Sequence, residues 1–255
     1  MERMAMTRVD EIARMPRGGP DASCLDRLLQ TERQEYLDRD DVDPRVKRSV
    51  VRALDWTGQV FGNHERFAAT ALDEVAEVAD PAILELGAGH GGLSHKLLEW
   101  HPTARVTVTD VEPASVAAIA AGDLGTHPRA TVREMDATAL DAADGQFDLA
   151  VFVLSFHHLA PTAAARVFAE GTRVASKLLI IDLPRPPAPL HLLRLATMLP
   201  WAPFAPSVHD GVISSLRAYS PSALRALARH ADPDIDVQLR GGLLSPQVVV
   251  ATRAR

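Results

Sequence analysis

The spacing of apolar residues along this chain changes twice, and the changes divide it into three zones. Up to about residue 80 the spacing is helical. Val46, Val50 and Leu54 fall at i, i+4 and i+8 behind Asp43, a capping residue, and Pro44, which suits a first turn. Gly62-Asn63 breaks that stripe. Asn63 is then placed to cap another helix, with Ala68, Leu72 and Val75 as its apolar face and Asp80-Pro81 as its stop. A further helix is predicted over residues 22–37. Residues 1–20 read as a loose arm ending at the breaker Gly18-Gly19-Pro20.

Residues 82–183 alternate short apolar strands with helices. Strands are predicted over 83–86, 106–109, 131–135, 147–153 and 178–181. One intervening helix carries Leu93, Leu97 and Trp100, and another follows Pro113. The fourth and fifth strands are almost wholly apolar, which implies a sheet covered on both faces. The β-α-β alternation implies parallel strands with right-handed crossovers. Residues 184–255 begin with a proline-rich apolar stretch, 184–206, continue in a helix over 221–231, and close with strands over 235–239 and 248–252. The short Gly/Ser/Pro connection between those two strands predicts a hairpin at the sheet edge.

Composition narrows the function classes. The 255 residues are 47% hydrophobic and 24% charged, which argues against collagen, disorder or a disulfide scaffold. A net charge of −6 without a dense Lys/Arg run disfavours nucleic acid as a partner. Cys24 is the single cysteine, so no internal disulfide forms, and a reducing cytoplasm fits. Charges scattered through residues 1–20 leave no apolar core for a secretory leader. No stretch reaches the roughly 20 apolar residues of an integral membrane span. A cytoplasmic protein is expected.

The chemistry concentrates at strand ends. Gly87, Gly89 and Gly92 follow the first strand as G-x-G-x-x-G, a turn that lets backbone approach a ligand at a helix N-terminus. Asp110 ends the second strand, where a carboxylate accepts both hydroxyls of a ribose; its local alternative is a helix cap ahead of Pro113. Asp136 follows the third strand, where it is placed to accept from an adenine amino group; its alternative is an ordinary loop acid. Together the three positions line one crevice for a nucleoside cofactor, a nicotinamide dinucleotide included.

These residues resemble motif I and its companions in the class I S-adenosylmethionine-dependent methyltransferases. The run Ile83-Leu84-Glu85-Leu86-Gly87-Ala88-Gly89 is similar to motif I. Asp110 resembles the ribose-binding acid and Asp136-Ala137 the adenine-binding pair. Phe147-Asp148 with the following apolar run and His157-His158-Leu159 resembles the fourth-strand motif, and Leu179 to Asp182 the fifth strand. The resemblance covers about residues 43–253. His209-Asp210-Gly211 with Arg217-Ala218-Tyr219 is similar to a bacterial subgroup acting on small molecules.

The resemblance implies a doubly wound, Rossmann-like α/β sheet of seven strands, mostly parallel with a C-terminal antiparallel hairpin. Residues 1–80 would form an arm and helical cap, residues 81–255 the catalytic domain, and residues 184–220 a lid on the substrate side. The implied cofactor is S-adenosylmethionine, held by Glu85, Gly87, Ala88, Gly89, Asp110, Val111, Asp136, Ala137 and Val153. Glu85 would act at the methionine end. The implied reaction is in-line methyl transfer to a small apolar or aromatic metabolite, O-methylation being favoured. A base would assist, with His157, His158, His209 and Asp210 as candidates and packing roles as their alternatives. Arg217 and Tyr219 read as a clamp at a helix entry.

No compact His/Asp/Glu grouping in the sequence calls for a metal. The apolar stretch 184–206 reads as a substrate-pocket wall, as core, or as a homodimer or membrane-surface contact. Two other functions stay open. One is a nicotinamide-dependent oxidoreductase, against which stand Asp136-Ala137 and the want of a Tyr-x-x-x-Lys pair. The other is a non-catalytic binding module.

Overall fold

A computed structural model describes residues 11–241 and 245–254. Residues 1–10 of the expected arm and part of the loop joining the last two strands lie outside the described residues. Seven strands form one sheet: β1 (Ala82–Leu86), β2 (Arg105–Asp110), β3 (Ala130–Glu134), β4 (Phe147–Val153), β5 (Ala175–Asp182), β6 (Ile235–Arg240) and β7 (Gln247–Arg253). Their order is β3-β2-β1-β4-β5-β7-β6. The first five run parallel, while β7 lies antiparallel between β5 and β6. The fold is therefore the expected mixed, doubly wound α/β sheet. The chain reverses its direction of travel across the sheet between β1 and β4, which opens a crevice outside their carboxyl ends.

Alternation along the apolar strands assigns the two faces. Ile83, Leu149, Val151, Leu179 and Ile181 face one core, covered by helices α3 (Asn63–Glu74), α4 (Gly92–Trp100), α5 (Pro113–Ala121) and α6 (Asp123–Thr126). Leu84, Ala150, Phe152, Leu178 and Ile180 face the other, beneath α7 (Pro161–Val174) and α10 (Pro221–Ala231). Helix α2 (Pro44–Val60) packs on α9 (Pro206–Arg217), and α8 (Ala188–Met198) precedes α9. Among the described residues, no helix is long and apolar enough to cross a membrane.

Four local expectations are corrected. The helix expected over residues 22–37 is only one turn and a half long, α1 (Cys24–Leu28), capped by Ser23 in a reciprocal box with Asp26. It stops because Arg185 takes its terminal carbonyls, donating to Asp26 O at 2.9 Å and Leu29 O at 2.7 Å. The chain then runs without regular structure to a turn at residues 36–38. Asn63 does not cap α3; Gly62 does, in the left-handed region at φ 58° and without a side-chain bond. The stretch 184–206 contains a helix, α8, that its prolines hide: they stand at its first turn, where no N–H is needed. It buries Ala188, His191 and Leu195 yet exposes Leu193, Trp201 and Phe204.

The fourth correction concerns the arm, which is not loose from residue 11 onward: Ile12 and Arg17 are buried. The Arg17 guanidinium donates through Nη1 to the carbonyls of His157, Leu159 and Arg217 at 2.9–3.0 Å. It also stacks 4.4 Å over the Tyr219 ring.

Candidate active site

The glycine turn sits where the crevice opens. Gly87 has φ +64°, and a Cβ there would stand 2.7 Å from the Phe152 ring, so only glycine fits without displacing the core. Gly89 has φ +59°, but nothing lies within 4 Å of where its Cβ would point. The backbone at Gly89 therefore borders open space, as a cradle for a ligand requires. Helix α4 begins directly behind it with no side chain capping its first amides, which leaves them available to an anionic or polar group.

Asp110 is buried at the end of β2. Its Oδ2 accepts from Gly89 N at 2.8 Å and its Oδ1 from Glu112 N at 2.9 Å, so the carboxylate fastens the glycine turn to the next loop. Each oxygen keeps a second lone pair for a ligand hydroxyl. The adjacent Val111 is 64% exposed, an apolar platform beside that carboxylate. Asp136 is exposed, and its Oδ1 accepts from Thr138 N and Thr138 Oγ1, both at 2.8 Å. Its Oδ2 is left for a ligand, and Ala137 packs against the core beside it. Val153 ends β4 half-buried. Leu154 follows at φ 53°, a conformation costly for a side chain of that size and one that concentrates at working sites.

Glu85 and Ala88 are buried under the turn. The Glu85 carboxylate accepts from the Ser94 hydroxyl of α4, tying helix to strand. Burial pushes its pKa up to about 7, against the lowering effect of the Ser94 contacts. The sign for stability follows. Between pH 4.5 and 7 the folded chain keeps a proton that the unfolded chain releases, so this group lowers stability as pH rises, by on the order of 3 kcal/mol in total. Glu85→Gln keeps an acceptor for Ser94 and cannot ionise. Urea unfolding should show it gaining on the wild type from pH 5 to pH 8; an equal difference at both pH values would refute this role.

A second group of side chains gathers beyond the carboxyl ends of β4 and β5. His157 is buried in a 3₁₀ turn, Phe156–His158. Its Nδ1 lies 2.7 Å from Asp182 Oδ1, and its backbone N–H donates to Asp182 Oδ2, also at 2.7 Å. Its Nε2 stands 3.5 Å from Glu35 Oε1. Burial by itself would lower the pKa of this imidazole, but the carboxylates of Asp182 and Glu35 hold it up at about 9. His158 is 28% exposed at its side chain, with Nδ1 3.0 Å from Asp38 Oδ2 and Nε2 3.9 Å from Glu35 Oε1. Glu35 is itself buried and accepts from Ser214 Oγ of α9 at 2.6 Å. Burial would raise its carboxyl, but the two histidines and Ser214 hold it below the ordinary range.

His209 and Asp210 lie on α9, with His209 Nδ1 3.0 Å from Asp210 Oδ1. Asp210 Oδ1 accepts from Tyr36 N at 2.8 Å, and the Tyr36 ring stacks on His209 at 4.0 Å. The expected clamp is present: Arg217 donates to His158 O at 2.5 Å and Tyr219 to Leu159 O at 2.8 Å.

Sequence reasoning missed Glu35 and Asp38, which sit in a segment without periodicity, and it missed Ser214 as the partner of Glu35. Asp182 carried a usable signal, because it ends an apolar strand as Asp110 does. A separate cavity of about 690 Å³ lies beside Pro184, Arg185 and Gly241. None of the expected site residues lines it.

Residues 83–177 match a family model described as a methyltransferase domain. A malonyl-[acyl-carrier protein] O-methyltransferase of Geobacter sulfurreducens is 39% identical over 100 residues, 39% of this chain and 36% of that protein. A demethylmenaquinone methyltransferase of Thermus thermophilus is 32% identical over 132 residues, 50% of this chain and 58% of that one. The matched segments thus span from about a third to under two thirds of these relatives' lengths. The crystal structure of the plantazolicin methyltransferase BpumL in complex with SAH aligns over 99% of this chain and 100% of that one. Its TM-score is 0.65 at 11% identity, a likeness of fold alone.

Proposed function

We propose that this chain, whose residues 83–177 match a methyltransferase-domain family model, is a class I enzyme that moves the methyl of S-adenosylmethionine to a small, apolar or aromatic metabolite, with oxygen the favoured acceptor. The observation carrying this reading is the pairing of two sites at neighbouring strand ends. One is a backbone cradle with Asp110, Val111 and Asp136; the other is a cluster of imidazoles and carboxylates.

The residues fit the cofactor. Asp110 would take the ribose hydroxyls on its free lone pairs, Val111 one face of the adenine, and Asp136 Oδ2 with Ala137 the adenine edge. Gly87, Ala88, Gly89 and Val153 would border the amino-acid end, with Glu85 supporting the turn from below. When bound, S-adenosylmethionine supplies an electrophilic methyl. The chain's work is to align the acceptor, exclude water and receive its proton.

His158 is the proton acceptor we assign. His157 is enclosed between Asp182 and Glu35, whereas His158 reaches solvent. Asp38 accepts the His158 Nδ1 proton, which leaves Nε2 as the basic atom. Residues 1–80 would cap the cofactor side, since α3 packs on α4. Residues 184–220 would close the substrate side, since Asp210, Ser214 and Arg217 of α9 already reach the cluster. The H-D-G element on that helix supports a small-molecule acceptor, and the exposed apolar residues of 184–206 suit an apolar one.

Calorimetric titration with S-adenosylmethionine, S-adenosylhomocysteine, NAD and NADP tests the cofactor. Binding by the first two alone is expected; binding by the nicotinamides alone would turn the reading to an oxidoreductase. Once an acceptor is found, His158→Ala should lower kcat about 100-fold or more with little change in cofactor affinity. Full turnover in that variant would remove His158 as the base.

A further inference from the structure

We propose that Glu35, His157 and His158 form a binding site for one divalent first-row transition-metal ion, of which zinc is the probe. The three offer one ligand atom each, and these atoms all lie within 4.8 Å of one another. The inference begins from which atoms hold protons. Asp182 and Asp38 are carboxylates that accept from Nδ1 of His157 and His158. Nε2 of both rings therefore turns inward, toward Glu35; on His157 that atom carries a proton at neutral pH, which a bound ion would displace. The two nitrogens converge on Glu35 Oε1, at 3.5 and 3.9 Å. His157 Nε2 is fully buried and makes no hydrogen bond. That nitrogen is thus a buried donor atom with no protein partner of its own, aimed at two further ligand atoms.

The geometry suits an ion. Ligands at about 2.0–2.1 Å from zinc stand about 3.3 Å apart in a tetrahedron, so the Glu35 edges, at 3.5 and 3.9 Å, must contract by about 0.2 and 0.6 Å, and the edge between the imidazoles, within 4.8 Å, by up to about 1.5 Å. A carboxylate behind each coordinating imidazole is the outer shell that metal-bound histidines use. Two imidazoles and one carboxylate suit zinc, iron, copper or nickel better than magnesium or calcium. The cluster supplies three protein ligands and would leave further coordination positions open, as a catalytic ion needs. His158, the ligand that reaches solvent, marks the accessible side. An acceptor oxygen or nitrogen bound there would be acidified by the ion, which would then replace His158 as the activating group.

The site does not depend on the methyl-transfer reading, and its test reads the metal directly. Tag-free protein, first stripped with chelator, is titrated with Zn²⁺ against a chromophoric chelator. One equivalent should bind. His158→Ala and Glu35→Gln should abolish stoichiometric binding, Asp38→Asn should weaken it about 10–100-fold, and His95→Ala, an exposed histidine of α4, should leave it unchanged. Co²⁺ on the unmutated chain gives a second readout that no folding defect can mimic. Intense visible bands of low-coordinate cobalt are expected, in place of the faint absorption of the hydrated ion. No stoichiometric zinc with only hydrated-ion cobalt absorption would overturn the site and leave the cluster neutralised by protons. Binding that survives both ligand substitutions would overturn it as well. Cofactor titration of the same protein keeps a failed metal site distinct from a failed methyltransferase.

Discussion

Asp110→Ala is expected to lose S-adenosylmethionine binding by on the order of 100-fold or more. The carboxylate would hold two ribose hydroxyls, and hydrogen bonds to a charged group contribute about 1.5–3 kcal/mol each. It also pins the N–H groups of Gly89 and Glu112, so its loss loosens the turn that faces the cofactor. Asp110→Asn, which keeps one acceptor oxygen, should fall between. The paired variant Gly89→Val separates ligand from fold. Its side chain would enter space where no protein atom lies within 4 Å, so it meets only the cofactor, beyond a strain of about 1–2 kcal/mol for φ +59°. Gly87→Ala should do the opposite and destabilise the chain, because its Cβ meets Phe152. Calorimetry with thermal melts distinguishes these outcomes. If Gly89→Val binds the cofactor like the wild type, the crevice is misassigned.

Arg17→Ala is expected to be the most destabilising single substitution in the N-terminal segment, at about 3–5 kcal/mol. Arg17 is only 1% exposed and satisfies three carbonyls, those of His157 and Leu159 at the 3₁₀ turn and that of Arg217 at the end of α9. Truncation leaves all three buried without that donor and removes the cation from the Tyr219 face. At this chain length that corresponds to a fall in melting temperature on the order of 10 °C. Two of those carbonyls flank His158, so the loss should also loosen the histidine pair. Arg17→Lys should recover only part, because an ammonium cannot reproduce the planar fork. A melting temperature within a degree or two of the wild type would show that the segment is an accessory after all.

Arg17 also shows where the sequence stops being legible. Its neighbours Gly18-Gly19-Pro20 do break the chain, as their conformational preferences dictate, and Gly19 stands at φ +95°. Nothing local says that the arginine beside the break will be buried among carbonyls 140 and 200 positions away. The helix expected over residues 22–37 fails for the same reason. Its start is visible in the Ser23/Asp26 capping box, but its end is imposed by Arg185, whose guanidinium takes the carbonyls of Asp26 and Leu29.

What the sequence by itself determined is whatever rests on neighbours a few residues apart. Near-continuous apolar runs in β4 and β5 specified strands with two buried faces, and the glycines after β1, with acids at the end of β2 and just after β3, marked the strand ends at which the crevice opens. These are short-range properties, set by side-chain period and by the backbone freedom of glycine. Only the tertiary structure brought Glu35 and Asp38 to histidines 120 residues and more away, and only it gave His157 and His158 different surroundings. A carboxylate has no periodic signature. Its role depends on which charges the folded chain sets against it, and the surrounding low dielectric decides how strongly they act.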